Sequence, residues 1–202
     1  YAYPMHKFEF EPYDLSTSYI QNLDETGRTV SRIKLSNIEY PNLANRFDGG
    51  GIVAAKNNKI YLSTAGSVSI RVIDLMDNSI KIRKGKLPPG IPSLPTKDLD
   101  VSNPMSLMKS FSEVVQNKSM NVSMHLLNDS TIIQQLQYFK NDQQQFVYLI
   151  FDINREIYVN HVITDKRLYY AANNFIYSIK HQDESGADQF NNPSLIIYEM
   201  IF

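Results

Sequence analysis

Four histidines, His6, His125, His161 and His181, have side chains suited to metal or acid–base chemistry, and none stands in the HExxH or HxH spacing of common zinc sites. His125 with Asp129 and His161 with Asp165 are four apart, a spacing that aligns side chains only on a helix. The second pair reads as strand and turn, and the first straddles an element boundary. His181, Asp183, Glu184 and Asp188 make an oxygen-rich loop without the alternating ligand register of a calcium site. Gly49-Gly50-Gly51 follows Arg46-Phe47-Asp48 and enters a strand, with no Lys-Ser or Lys-Thr behind it. A phosphate loop instead leaves a strand and opens a helix. No Gly-x-Ser-x-Gly elbow occurs, and zero cysteines exclude thiolate metal sites, redox pairs and cysteine nucleophiles. The sequence nominates no catalytic residue, no metal ligand and no cofactor.

Two other features carry more information. Lys81, Arg83, Lys84 and Lys86 form a basic cluster that runs into a proline-rich stretch. On a strand Lys81 and Arg83 face the same way, so a small cationic patch is expected. It suits nucleic acid, phospholipid or an acidic protein, or it guards an edge strand against pairing. Tyrosine is the second feature, with 13 residues. Tyr148, Tyr158, Tyr169, Tyr170 and Tyr177 fall close together, and tyrosine suits both strands and protein interfaces. Neighbours Tyr169 and Tyr170 must point to opposite faces, so at least one is expected outside the core of its own sheet. The candidate interaction surface is therefore Tyr169, Tyr170, Lys81, Arg83, Lys84 and Lys86. With 20 Lys and Arg against 21 Asp and Glu, the chain lacks the basic excess of a nucleic-acid binder.

The elements that must hold these residues read as short strands punctuated by turns. Ile52 to Lys56, Lys59 to Ser63, Ser67 to Asp74 and Ile80 to Arg83 predict a four-stranded antiparallel meander over 51–84. Its first turn is Asn57-Asn58, a pair that tolerates the positive φ of a type I′ turn. A second meander is expected from Phe146 to Phe151, Glu156 to Ile163, Arg167 to Ala172 and Phe175 to Lys180. Polar turns at Asp152-Ile153-Asn154-Arg155, Thr164-Asp165-Lys166 and Asn173-Asn174 separate its runs. Leu195 to Phe202 is too apolar to stay exposed, so a buried strand or pairing with another chain is expected.

Between the meanders, residues 85–144 read as an insertion. Leu87-Pro88-Pro89-Gly90-Ile91-Pro92 is extended. Asn103-Pro104 opens a helix with Leu107, Met108, Phe111, Val114 and Val115 on one face. Met120 to Leu127 alternates weakly as a strand. A second short helix is predicted from Asp129 or Ser130, with Ile132, Ile133, Leu136 and Phe139 on one side. The fold class is mainly β: two antiparallel four-stranded meanders, as blades or a sandwich, with a helical, Pro-rich insertion. The 202 residues, 43% apolar, suit a single β-rich domain or a fragment of a larger one. An opening Tyr1 instead of Met reads as a processed product or excised fragment, and no stretch has the apolar length of a membrane-spanning helix.

Asn57-Asn58-Lys59-Ile60-Tyr61 is echoed by Asn173-Asn174-Phe175-Ile176-Tyr177, each bridging two strands. The segments 59–63 with 69–74, and 167–172 with 175–179, resemble β-propeller blades of the Tyr-Val-Thr-Asn and quinoprotein-like classes. The resemblance covers about a third of the chain and implies a scaffold whose loops bind a partner, with no particular reaction. The expected function is a non-catalytic protein-binding or assembly module using sheet edges and loops, self-association running through the C-terminal strand. The alternatives are a hydrolase or sugar-active enzyme with a site in such loops, and a viral or secreted structural subunit. The sequons at Asn117, Asn121 and Asn128 would suit a secreted glycoprotein.

Overall fold

In the computed structural model, which describes residues 19–23, 26–34, 40, 42–43, 52–180 and 194–200, two asparagine pairs and one Asn-Asp pair turn the chain. Asn57 and Asn58 sit at φ 49° and 58°, Asn141 and Asp142 at 52° and 60°, and Asn173 and Asn174 at 52° and 68°. These left-handed conformations are the ones two-residue hairpins require and asparagine tolerates. His6, Gly49 to Gly51, the loop from His181 to Asp188, and Ile201-Phe202 lie outside the described residues.

A hairpin of β1 (Tyr19–Leu23) and β2 (Thr29–Lys34) precedes three larger antiparallel arrays. The first sheet is the expected meander: β3 (Ile52–Lys56), β4 (Lys59–Ser63), β5 (Ile70–Asp74) and β6 (Ile80–Arg83), in sequence order. The central sheet holds β7 (Met120–Asn128), β8 (Thr131–Lys140), β9 (Gln143–Asp152) and β10 (Ile157–Thr164). The last sheet holds β11 (Leu168–Ala172), β12 (Phe175–Lys180) and β13 (Ser194–Glu199). The fold is mainly β, with two four-stranded antiparallel meanders and, between them, one helix, α1 (Pro104–Asn117). Among the described residues the sheets do not close into a barrel.

Two expectations need correction. The segment from Asp129 to Phe139 is not a helix; it contains β8, paired on both sides within the central sheet. Its apolar spacing mimics a helix because the strand is covered on both faces, so alternation is lost. The four segments between 146 and 180 also do not form one sheet. The first two, β9 and β10, close the central sheet after β7 and β8, whereas β11 and β12 pair with β13. The turn at 164–166 passes between sheets. Residues 120–140, within the expected insertion, thus supply two of the four central strands.

The helix begins as its sequence demands. Pro104 occupies the first turn, and the Asn103 side chain accepts from the Ser106 backbone N–H at 2.9 Å. It buries Leu107 and Val114, leaving Met108 and Phe111 exposed. The central sheet is the middle layer. One face packs Met124, Ile132 and Phe151 against Tyr61, Ile70 and Val72 of the first sheet. The other packs Leu127, Ile133, Tyr148 and Ile150 against Leu168, Ala171 and Ile176 of the last. Adjacent glutamines in β8 bond to both neighbours. Gln134 Nε2 donates to Ser63 Oγ at 3.0 Å. Gln135 Oε1 accepts from the Leu168 N–H at 2.5 Å, while its Nε2 donates to the Leu168 carbonyl at 3.2 Å. Both side chains are buried and satisfied, which is what keeps a polar pair tolerable in such a strand. Between sheets the backbones come nearest at the first strands, β3 with β7 and β7 with β11.

Candidate binding site

Between β6 and β10, the last strands of the first and central sheets, lies a cleft of about 570 Å³. One wall is Ile82, Arg83, Lys84 and Lys86, and the other is Glu156 to His161, with Leu149 also lining it. Three of the four sequence-nominated cations therefore meet in one place. Lys81 is exposed on β6 and does not line the cleft.

Glu156 organises the site. Its side chain is 12% exposed and accepts from Lys59 Nζ at 2.8 Å through Oε1 and from Arg83 Nε at 3.0 Å through Oε2. Arg83 Nη2 also reaches Oε2. The hydrogen bond from Lys59, and then that from Arg83, hold the carboxyl pKa at about 2, against burial that alone would raise it. The Lys59 pKa rises in return, chiefly through the same bond. A carboxyl ionised so far below neutrality is unsuited to proton transfer near pH 7. It serves to join two sheets and to fix one of the cations of the cleft.

Tyr158 lines the cleft, and Gly85, between the lining residues Lys84 and Lys86, packs over its ring. The Tyr158 hydroxyl lies 2.6 Å from both the Val68 carbonyl and Gln134 Oε1, so its one proton is shared between two acceptors. Burial raises the phenol pKa. Phe151 meets the Tyr158 ring edge-on, with centroids 5.2 Å apart. Gly85 passes directly over the Val68 carbonyl and this ring; a Cβ there would press into the carbonyl oxygen and lie 3.0 Å from Tyr158 Cε2. Only glycine lets Lys84 and Lys86 flank that crossing.

The nominated tyrosines are on another surface. In the last sheet Tyr170 pairs with Tyr177, and Tyr177 with Ile197, on the face away from the central sheet. The Tyr170 and Tyr177 rings lie 5.6 Å apart. Tyr170 is 58% exposed, Leu195 61% and Ile197 53%, with Phe175 also exposed on that face. Tyr169 occupies the register shift after Leu168, with the Arg167 guanidinium 5.2 Å from its ring centroid. The sequence therefore nominated two surfaces as one; it missed Glu156, whose partners are 97 and 73 residues away.

His161 lines the cleft, and Asp165, in the turn beyond β10, pairs with Lys166 at 3.0 Å. His125 is in β7 with Nε2 buried and unpartnered, and burial lowers its pKa to about 4. Among the described residues there is no cluster of three or more His, Cys, Asp or Glu able to hold a metal, and no helix is long and apolar enough to cross a membrane. Of the sequon asparagines Asn117 is exposed, Asn128 donates to Asn174 Oδ1 at 2.6 Å, and Asn121 is wholly buried. Comparison of the chain with protein-family models, with curated proteins and with solved structures gives no match.

Proposed function

We propose that the chain is a non-catalytic assembly module whose sheets are successive blades of a propeller-like array, with the outward face of the last sheet receiving another β-sheet. The observation that carries this is the position of the internal echo. Both copies turn from the first strand of a sheet into the second. In the first copy Tyr61 points toward the following sheet and meets Phe151 edge-on, at 6.1 Å between centroids. In the second, Ile176 is buried against the preceding sheet, and Tyr177 points the other way. Tyr177 thus stands where Tyr61 stands, on the face that in the first sheet is covered by its successor.

Tyr170, Phe175, Leu195 and Ile197 each retain enough exposed apolar surface to contribute roughly 1 kcal/mol on burial, or about 4 kcal/mol for the face. In a dimer both copies bury this face, about 8 kcal/mol in gross terms, which leaves a modest association once ordering costs are met. The occupant in a solution of the pure protein is a second copy. Light scattering over a concentration series should show a defined oligomer, and the double substitution Leu195→Asp, Ile197→Asp should shift the midpoint upward by at least about 30-fold. A chain that stays monomeric at every concentration, or an oligomer indifferent to the double substitution, sinks the proposal.

A further inference from the structure

The cleft between the first and central sheets is a separate site with its own chemistry. Ile157 to His161 are consecutive on β10, whose pairing with β9 shifts register around Val159, so side chains from both faces of the strand reach the cleft along its edge. Across the cleft Ile82 and Arg83 end β6, and Lys84 follows directly. β10 and β6 are the terminal strands of their sheets among the described residues. The groove therefore runs along backbone edges, for about 20 Å at roughly 3.3 Å per residue.

Its charge is one-sided. Three cations line it against one carboxylate, and that carboxylate is already held by Lys59 and Arg83. Lys84 and Lys86 make no ion pair among the described residues. Ile82, Ile157 and Val159 add exposed apolar surface. A ligand that fits all three properties is extended, anionic and partly apolar. Lys84 and Lys86 are two residues apart, and an extended chain repeats its side chains with the same two-residue period, about 7 Å.

We propose that this groove is a docking site for an extended acidic peptide segment with carboxylates at alternate positions, its carboxylates meeting Lys84 and Lys86 and its backbone lying along β10. The concave shape disfavours a flat lipid surface. A nucleic acid backbone brings phosphate and sugar but no apolar side chains to the exposed Ile82, Ile157 and Val159.

The test is fluorescence anisotropy on the full chain with a labelled alternating Glu-Val peptide of about eight residues, matched to the groove length. A Lys-Val counterpart, an oligothymidine and phosphatidylserine vesicles serve as comparators, and the variant is Lys84→Ala, Lys86→Ala. Both lysines are exposed, so circular dichroism should show the variant folded. Saturable binding of the acidic peptide is expected, weakened about tenfold by the double substitution and by added salt, with amide shifts concentrated at Glu156 to His161. Failure of that peptide to bind, equal loss-free binding by the variant, tighter binding of the oligothymidine or vesicles, or shifts confined to the last sheet would each overturn the proposal.

Discussion

Glu156 couples folding to acid, and the size of the effect follows from its contacts. Its pKa is about 2 in the folded chain against 4.5 when free. The folded state therefore binds this proton less readily than the unfolded state, so the contribution is complete above about pH 5 and disappears as the pH falls toward 2. The shift sets a ceiling of about 3 kcal/mol. Lys59 and Arg83 are 32% and 36% exposed, and screening at such positions reduces the expected value to about 1–2 kcal/mol. The perturbation is Glu156→Gln, which keeps the side-chain length and the backbone cost of a residue at φ 52° while removing the charge. Urea unfolding of both proteins across acid pH should show a gap of about 1–2 kcal/mol near neutrality that closes by about pH 2. Added salt should narrow the neutral gap. Two parallel stability curves, or a Glu156 carboxyl titrating near 4.5 by NMR, would refute the reasoning.

Other consequences follow from single residues. Burial holds the His125 pKa at about 4, below its free value of 6.5, so stability should be complete above about pH 6.5 and fall by about 1–3 kcal/mol as the pH drops toward 4. His125→Gln should flatten that limb of the urea-unfolding profile, and an unchanged limb would assign it elsewhere. Gly85→Ala should cost about 1–3 kcal/mol, because the added methyl meets a backbone carbonyl that has no rotamer to move to; an unchanged urea midpoint would contradict the close crossing. Gln135→Leu leaves the Leu168 N–H and carbonyl without their side-chain partner and should cost about 2–3 kcal/mol, read as earlier hydrogen exchange across β11.

What was legible in the sequence was local. The pairs Asn57-Asn58 and Asn173-Asn174 announced hairpins because left-handed backbone favours asparagine, and Asn103-Pro104 announced α1 through cap chemistry confined to four residues. Asn141-Asp142 carries the same signal, yet it was hidden because Ile132, Ile133, Leu136 and Phe139 fall at helical spacing. Only the packing shows that β8 is covered on both faces and that Gln134 and Gln135 are polar because each bonds to a different sheet. Sheet membership was illegible for a related reason: a short polar turn between strands of one sheet and a short polar passage between sheets have the same composition. The basic cluster could be read from its spacing. The carboxylate that fixes Arg83 could not, since their meeting depends on the stacking of two sheets.

That meeting places folding and binding in opposition at one carboxylate. Glu156 stabilises the sheet interface by holding Lys59 and Arg83 together, and in doing so it cancels part of the positive charge in the groove. If the groove takes an acidic peptide, Glu156→Gln should bind that peptide more tightly, by a few-fold for removal of one partly screened like charge, although the fold is weaker. A substitution that merely loosened the structure would weaken both. Measuring peptide affinity and urea stability on the same variant, at neutral pH and low salt, therefore separates an electrostatic role from a packing role. Parallel losses in the two measurements would leave the carboxylate as a structural clamp with no electrostatic influence on the groove.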